Sequence, residues 1–120
     1  MKKYTLIWMI LCLISVHLSA KPLLSADHIK TESIKQANAD IKKGKPKFLI
    51  QGGIVSTRIK GQELFEQKYG VVYQDLGCVG PSAIRIEDYN KVVVSFMDKK
   101  YGKAWRKEVR KDVLGMYDVK

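Results

Sequence analysis

The sequence predicts a small α/β domain, with α+β as the alternative arrangement of the same elements. Three observations point there. Apolar residues recur at helical spacing in Ser25–Lys43, Ile59–Tyr69, Glu87–Tyr101 and Lys103–Leu114. Two short apolar runs, Lys47–Gln51 and Val71–Leu76, lie between the first three of these segments. Glycine or proline marks each junction. The expected order is α-β-α-β-α-α, without internal repeats or low-complexity segments.

Ser25 or Asp27 can cap the first helix, and Gly44 followed by Pro46 stops it. Ile34, Ala37 and Ile41 share a face with Ala26, which makes a thin apolar stripe. Lys47–Gln51 reads as a buried strand between Pro46 and Gly52-Gly53. The helix from Ile59 is expected to turn Leu64, Phe65 and Tyr69 inward and to end at Gly70. Val71–Leu76 is rich in residues that favour pleated structure. Strand, helix and strand in about 30 residues form a βαβ unit with parallel strands.

After the loop at Gly80-Pro81, Tyr89, Val92, Val93 and Phe96 mark the face of a third helix, which Gly102 breaks. Trp105, Val109 and Val113 follow at four-residue steps and predict a last helix closed by Gly115. The βαβ unit should pack against this C-terminal helix pair, with Trp105 as the largest core residue. A third strand within Gly53–Ile59 or Met116–Lys120 stays open.

The N-terminus reads as a cleavable secretory signal. Lys2 and Lys3 precede an apolar run from Tyr4 to Leu18, and the small residues Ser19 and Ala20 follow. Cleavage is expected after Ala20, leaving a single domain, 21–120, that is periplasmic or secreted. The alternative is an uncleaved N-terminal anchor, although the apolar run is shorter than a spanning helix of ~20 residues. Removing 1–20 takes two lysines and no acid, so 20 basic and 12 acidic residues remain, a net charge of +8 against +10 for the whole chain. Cys12 leaves with the signal, so Cys78 has no internal disulfide partner.

Phe65-Glu66-Gln67-Lys68-Tyr69-Gly70 resembles the signature of the FEKKY domain-containing proteins, small bacterial proteins of Bacteroidetes type. The likeness continues in Asp75-Leu76-Gly77-Cys78, in Tyr89-Asn90-Lys91 and in the run from Asp98 to Val109. It covers roughly residues 46–115, with Gln67 in place of the first lysine of the motif. The resemblance implies one small domain and an envelope location, since these proteins often stand behind export signals. It brings no activity and no functional residue.

No residue set reaches the specificity of a known catalytic or metal motif. Cys78 lies just beyond the second strand, where α/β ligands tend to sit. The favoured reading is a small buried hydrophobe at a turn; the alternative is a reactive thiol in an enzyme or redox protein. His28 is the only histidine after residue 20, and one His with one Cys falls short of a zinc set, so no metal or cofactor is expected. The loop Gln51–Arg58 reads as a plain glycine turn, because Arg58 stands where a phosphate loop needs glycine; the alternative is an anion held by backbone N–H groups at the helix start. Glu63 with Glu66, and Glu87 with Asp88, form no recognisable acid/base pair.

The clearest electrostatic feature is the basic side of the last helix. On an ideal helix Lys103, Arg106, Lys107, Arg110 and Lys111 span about 140°, and Lys99 and Lys100 extend the run backwards. Its bland reading is a solvated face carried on long side chains. Its functional reading is attraction to an anionic lipid, an envelope polymer or an acidic protein, in preference to nucleic acid. Trp105 and Tyr101 read as core residues, with interface anchors as the alternative. The function expected is therefore an exported binding or accessory module, and the alternative is a thiol-dependent enzyme or redox protein using Cys78.

Overall fold

The pattern after Ser25 is realised as α1, Ala26–Lys42, in a computed structural model that describes residues 25–53 and 58–119. The expected signal, 1–20, lies outside the described residues. Among them no helix is long and apolar enough to cross a membrane. Ser25 caps α1 by accepting the His28 N–H at 3.2 Å, and Gly44 follows its last turn. Of the expected stripe Ala37 is buried, Ile34 and Ile41 are half-buried, and Ala26 is exposed.

The strands β1, Lys47–Ile50, and β2, Val72–Asp75, pair in parallel with Phe48 opposite Tyr73. The helix α2, Gln62–Tyr69, forms the crossover. It begins three residues later than expected because Gly61 has a φ of 89°, a left-handed conformation no helix continues through. Its buried stripe is Gln62, Phe65 and Tyr69. Leu64 points outward at 72% exposed, since it lies about 100° round the helix from Phe65.

The third helix, α3, spans Ile86–Tyr101 and packs on α1 and along β1. Tyr89, Val93, Val94 and Met97 are fully buried, whereas Val92 and Phe96 are half-buried, so its inner stripe is rotated from the expected one. An aromatic chain then runs through the molecule. Trp105 stacks on Phe48 at 5.7 Å, Phe48 on Tyr73 at 6.0 Å and Tyr73 on Phe65 at 5.4 Å. Tyr69 follows at 4.8 Å, and Tyr101 meets Tyr69 edge-on at 5.2 Å.

The last helix is not formed as expected. Lys103–Leu114 folds as one 3-10 turn, Ala104–Lys107, followed by turns through Gly115. Two features of the sequence disfavour an α-helix here. Lys103, Lys107 and Lys111, and likewise Arg106 and Arg110, would stack like charges at four-residue spacing. Val109 and Val113 are β-branched. The segment wraps the core as a strap instead and still buries Trp105, Val109 and Val113, with Met116 in addition. Trp105 is the largest of the fully buried side chains, as expected.

A two-stranded sheet leaves two open edges, and side chains close both. Pro46, just before β1, and Ile50, at its end, accept from the N–H groups of Val72 and Leu76, so the alternating Leu49 faces the other edge. There Asn90 of α3 accepts the Leu49 N–H and donates to its carbonyl, both at 2.9 Å. On the far edge Glu66 of α2 accepts the Tyr73 N–H at 2.9 Å. No third strand occurs among the described residues.

Candidate anion-binding cleft

The strap carries the basic residues singled out by sequence, and the fold separates them into two kinds. Both arginines are drawn inward. Arg106 binds Asp98 through Nε at 3.0 Å and donates to the Val119 carbonyl at 3.1 Å. Asp98 also accepts the Trp105 indole N–H at 3.1 Å, and the Arg106 guanidinium holds its carboxyl below the usual range. Arg110 grips Asp112 with both arms of its fork, at 3.0 and 2.7 Å, and reaches Gln62 Oε1 at 2.9 Å. The same pairing lowers the Asp112 carboxyl and raises the Arg110 guanidinium.

The five lysines remain exposed. Lys99 and Lys100 close α3, with the Lys100 ammonium 5.1 Å from the Tyr101 ring. Lys103 starts the strap. Lys107 and Lys111 flank a cleft of about 530 Å³ between the strap and the start of α2. The expected seven-residue basic face is thus corrected: a wrapped strap replaces the helix, and its arginines serve the interior.

The cleft is built from two directions. Ile59, Lys60, Gly61 and Gln62 supply the side at the start of α2, and Lys107–Asp112 the opposite side. Phe65, Tyr73 and Val109, all buried, form its floor. Glu108 and Asp112 line it too, yet each already has partners. Glu108 takes both oxygens' worth of contact from Lys68 Nζ, at 2.9 Å each, and accepts the Tyr69 hydroxyl at 2.8 Å. Those bonds keep the Glu108 carboxyl below the usual range and the Lys68 ammonium above it. Lys60, Lys107 and Lys111 form no ion pair among the described residues, so the rim has a positive excess.

Sequence reasoning reached Lys107, Arg110 and Lys111 and missed Lys60, Gln62 and Tyr73. Lys60 was submerged in an expected helix, and Tyr73 looked like any inward strand residue. Their convergence is tertiary, and no local pattern in the sequence marks it.

Cys78 is exposed in the loop after β2, which corrects its expected burial. That loop turns at Gly77, whose N–H donates to Asp75 Oδ1 at 2.8 Å, and this carries the next residue out from the core. Cys78 forms no hydrogen bond or ion pair among the described residues, and His28 lies at the start of α1. No group of three or more His, Cys, Asp or Glu among the described residues is placed to hold a metal ion.

Of the four carboxylates in the two acidic pairs, Glu63, Glu66 and Asp88 have structural partners. Glu63 meets Arg58 at 2.9 Å, Glu66 seals β2, and Asp88 lies 3.1 Å from Arg85. In the loop Gln51–Arg58, residues 54–57 lie outside the described ones. A second recess of about 350 Å³ lies near Gln51, Pro81 and Arg85, where the only cation, Arg85, is paired with Asp88. No family model, curated protein or solved structure matches the chain.

Proposed function

We propose that this chain is a non-enzymatic binding module of the cell envelope that takes an anionic partner at the cleft between the strap and α2. One observation carries the reading. Both cleft carboxylates are engaged internally, Glu108 by Lys68 and Tyr69 and Asp112 by Arg110, while Lys60, Lys107 and Lys111 stay uncompensated on the rim. The net charge, +10 for the whole chain and +8 once residues 1–20 are removed, adds a long-range attraction for anions. Export rests on the signal-like residues 1–20, and the FEKKY resemblance supports the same location.

The test is a nuclear magnetic resonance titration with vesicles of phosphatidylglycerol and with an acidic polysaccharide, at low and at high salt. Shifts should gather at Lys60, Lys107 and Lys111 and shrink as salt screens the charges. Replacing the three lysines with glutamate should abolish them. Shifts of equal size with neutral vesicles and neutral polysaccharide would sink the proposal.

A second reading, a thiol-dependent enzyme or redox protein, is favoured by the exposure of Cys78. The alkylation rate of the native protein separates the two. Rapid labelling at neutral pH favours the thiol reading, and the rate of an ordinary thiol removes it.

A further inference from the structure

The floor of the cleft holds a donor that the protein leaves undirected. Tyr73 is 8% exposed and its ring is stacked between Phe48 and Phe65. Its hydroxyl oxygen accepts the Arg110 N–H at 3.2 Å, but its hydrogen reaches no acceptor among the described residues. Burial pushes this phenol up to about 12, so the hydrogen stays in place throughout the neutral range. The hydroxyl lines the cleft, so its hydrogen is available to a ligand oxygen there.

The charges around that donor select among anions. The two-armed fork of arginine matches planar carboxylates and phosphates alike, whereas an ammonium holds phosphate as a point charge. The one arginine of the cleft, Arg110, has its fork on Asp112 and Gln62. The rim offers ammonium groups, which lack that fork and can each point their rotatable donors at a different oxygen of a phosphate. The volume of about 530 Å³ is that of a small-molecule site and exceeds what one anionic group fills. Phe65 and Val109 at the floor offer apolar surface to the remainder of a ligand.

We propose, building on the anion-binding reading above, that the cleft seats a phosphate monoester. The Tyr73 hydroxyl donates to one phosphate oxygen, and Lys60, Lys107 and Lys111 balance its charge. The chemistry is shared by a sugar phosphate and by the headgroup of phosphatidic acid, and binding is non-covalent.

The test uses calorimetry with glucose 6-phosphate, with gluconate and glucose as controls, and co-sedimentation with vesicles containing phosphatidic acid. The protein should take up glucose 6-phosphate or the phosphatidic acid vesicles in preference to gluconate, and whichever it takes identifies the source of the phosphate. Tyr73→Phe keeps the stacked ring and should weaken binding about tenfold or more, the usual scale for a hydrogen bond to a charged group. The salt dependence should stay as in the parent, whereas Lys107→Gln with Lys111→Gln should flatten it. If Tyr73→Phe does not fold, the parent protein supplies the same answer. Its Arg110 amide should shift with glucose 6-phosphate and stay still with glucose.

Equal affinity for glucose 6-phosphate and gluconate, unchanged binding by a folded Tyr73→Phe protein, or a still Arg110 amide overturns the phosphate seat. Each of these leaves salt-sensitive anion binding standing. Loss of all salt-dependent binding by the parent removes both readings together.

Discussion

Asn90 stands in for a missing strand by exchanging two hydrogen bonds of 2.9 Å with the backbone of Leu49. Its amide presents one acceptor and one donor side by side, as a neighbouring peptide group would. The same amide nitrogen reaches the Leu114 carbonyl at 3.1 Å, so one fully buried side chain joins the sheet edge, α3 and the strap. Glu66 closes the opposite edge from α2. A two-stranded sheet is marginal by itself, and these two polar residues explain how it persists in this core.

Asn90→Ala should therefore be strongly destabilising. It leaves the Leu49 N–H and carbonyl buried without partners, at about 1–3 kcal/mol for each group. Asn90→Asp should fare no better, since a carboxylate accepts the N–H but faces the Leu49 and Leu114 carbonyls. Urea unfolding measures both. A midpoint unchanged by Asn90→Ala would show that water replaces the amide and that the edge is open to solvent.

Gly52 approaches the end of β2 so closely that a Cβ there would overlap the Asp75 carboxylate. That carboxylate is held by the Gly77 N–H at 2.8 Å. Gly52→Ala should push Asp75 off this bond and cost about 1 kcal/mol, the typical worth of one hydrogen bond. The cost should fall when Asp75 is already alanine, because the obstacle is gone. A double-mutant cycle reads this coupling, and strict additivity would contradict it.

Acid should loosen the strap first. The carboxyls of Asp98, Glu108 and Asp112 are all held low, by Arg106, Lys68 and Arg110 in turn. A carboxyl depressed in the folded state stabilises the fold above its unfolded value, about 3.9 for Asp and about 4.3 for Glu. That contribution disappears as pH falls through the folded value. Stability should be level at neutral pH and decline below about pH 4. Asp98→Asn should flatten the decline and lower stability at pH 7. Circular dichroism melts across this range check it, and an unaltered decline in Asp98→Asn would remove Asp98 from the linkage.

The strands, the parallel crossover and the inward set Trp105, Val109 and Val113 were legible in the sequence. Their apolar spacing states what must be buried, and a wrapped strap satisfies it as well as a helix does. The strap's conformation was not legible for that reason. Asn90 and Glu66 were hidden because their partners are backbone groups, which no side-chain pattern marks; Asn90 and Leu49 are 41 positions apart, Glu66 and Tyr73 seven. The cleft was half legible. Lys107 and Lys111 belong to an obvious charge run, but no local pattern distinguishes them from Arg106 and Arg110, which fold inward. Lys60 and Tyr73 join them only once α2 and β2 are packed against the strap.

Trp105 should be the residue whose loss harms the fold most. It is fully buried, its ring lies 5.7 Å from that of Phe48, and its indole N–H donates to Asp98 at 3.1 Å. It ends the aromatic chain that reaches Phe65 and Tyr69, so it fastens the strap to the sheet. Trp105→Ala should cost about 3–5 kcal/mol, the usual range for truncating a large buried aromatic. In a domain of this size that is a drop in Tm of more than about 10 °C. Trp105→Phe keeps a stacking ring and leaves Asp98 its bonds to Arg106, so it should cost clearly less. Thermal melts of the two variants, run beside anion titrations, decide between packing and recognition. A Trp105→Ala protein that melts like its parent yet loses anion binding would make Trp105 an exposed anchor, and the packing described for the strap would be wrong.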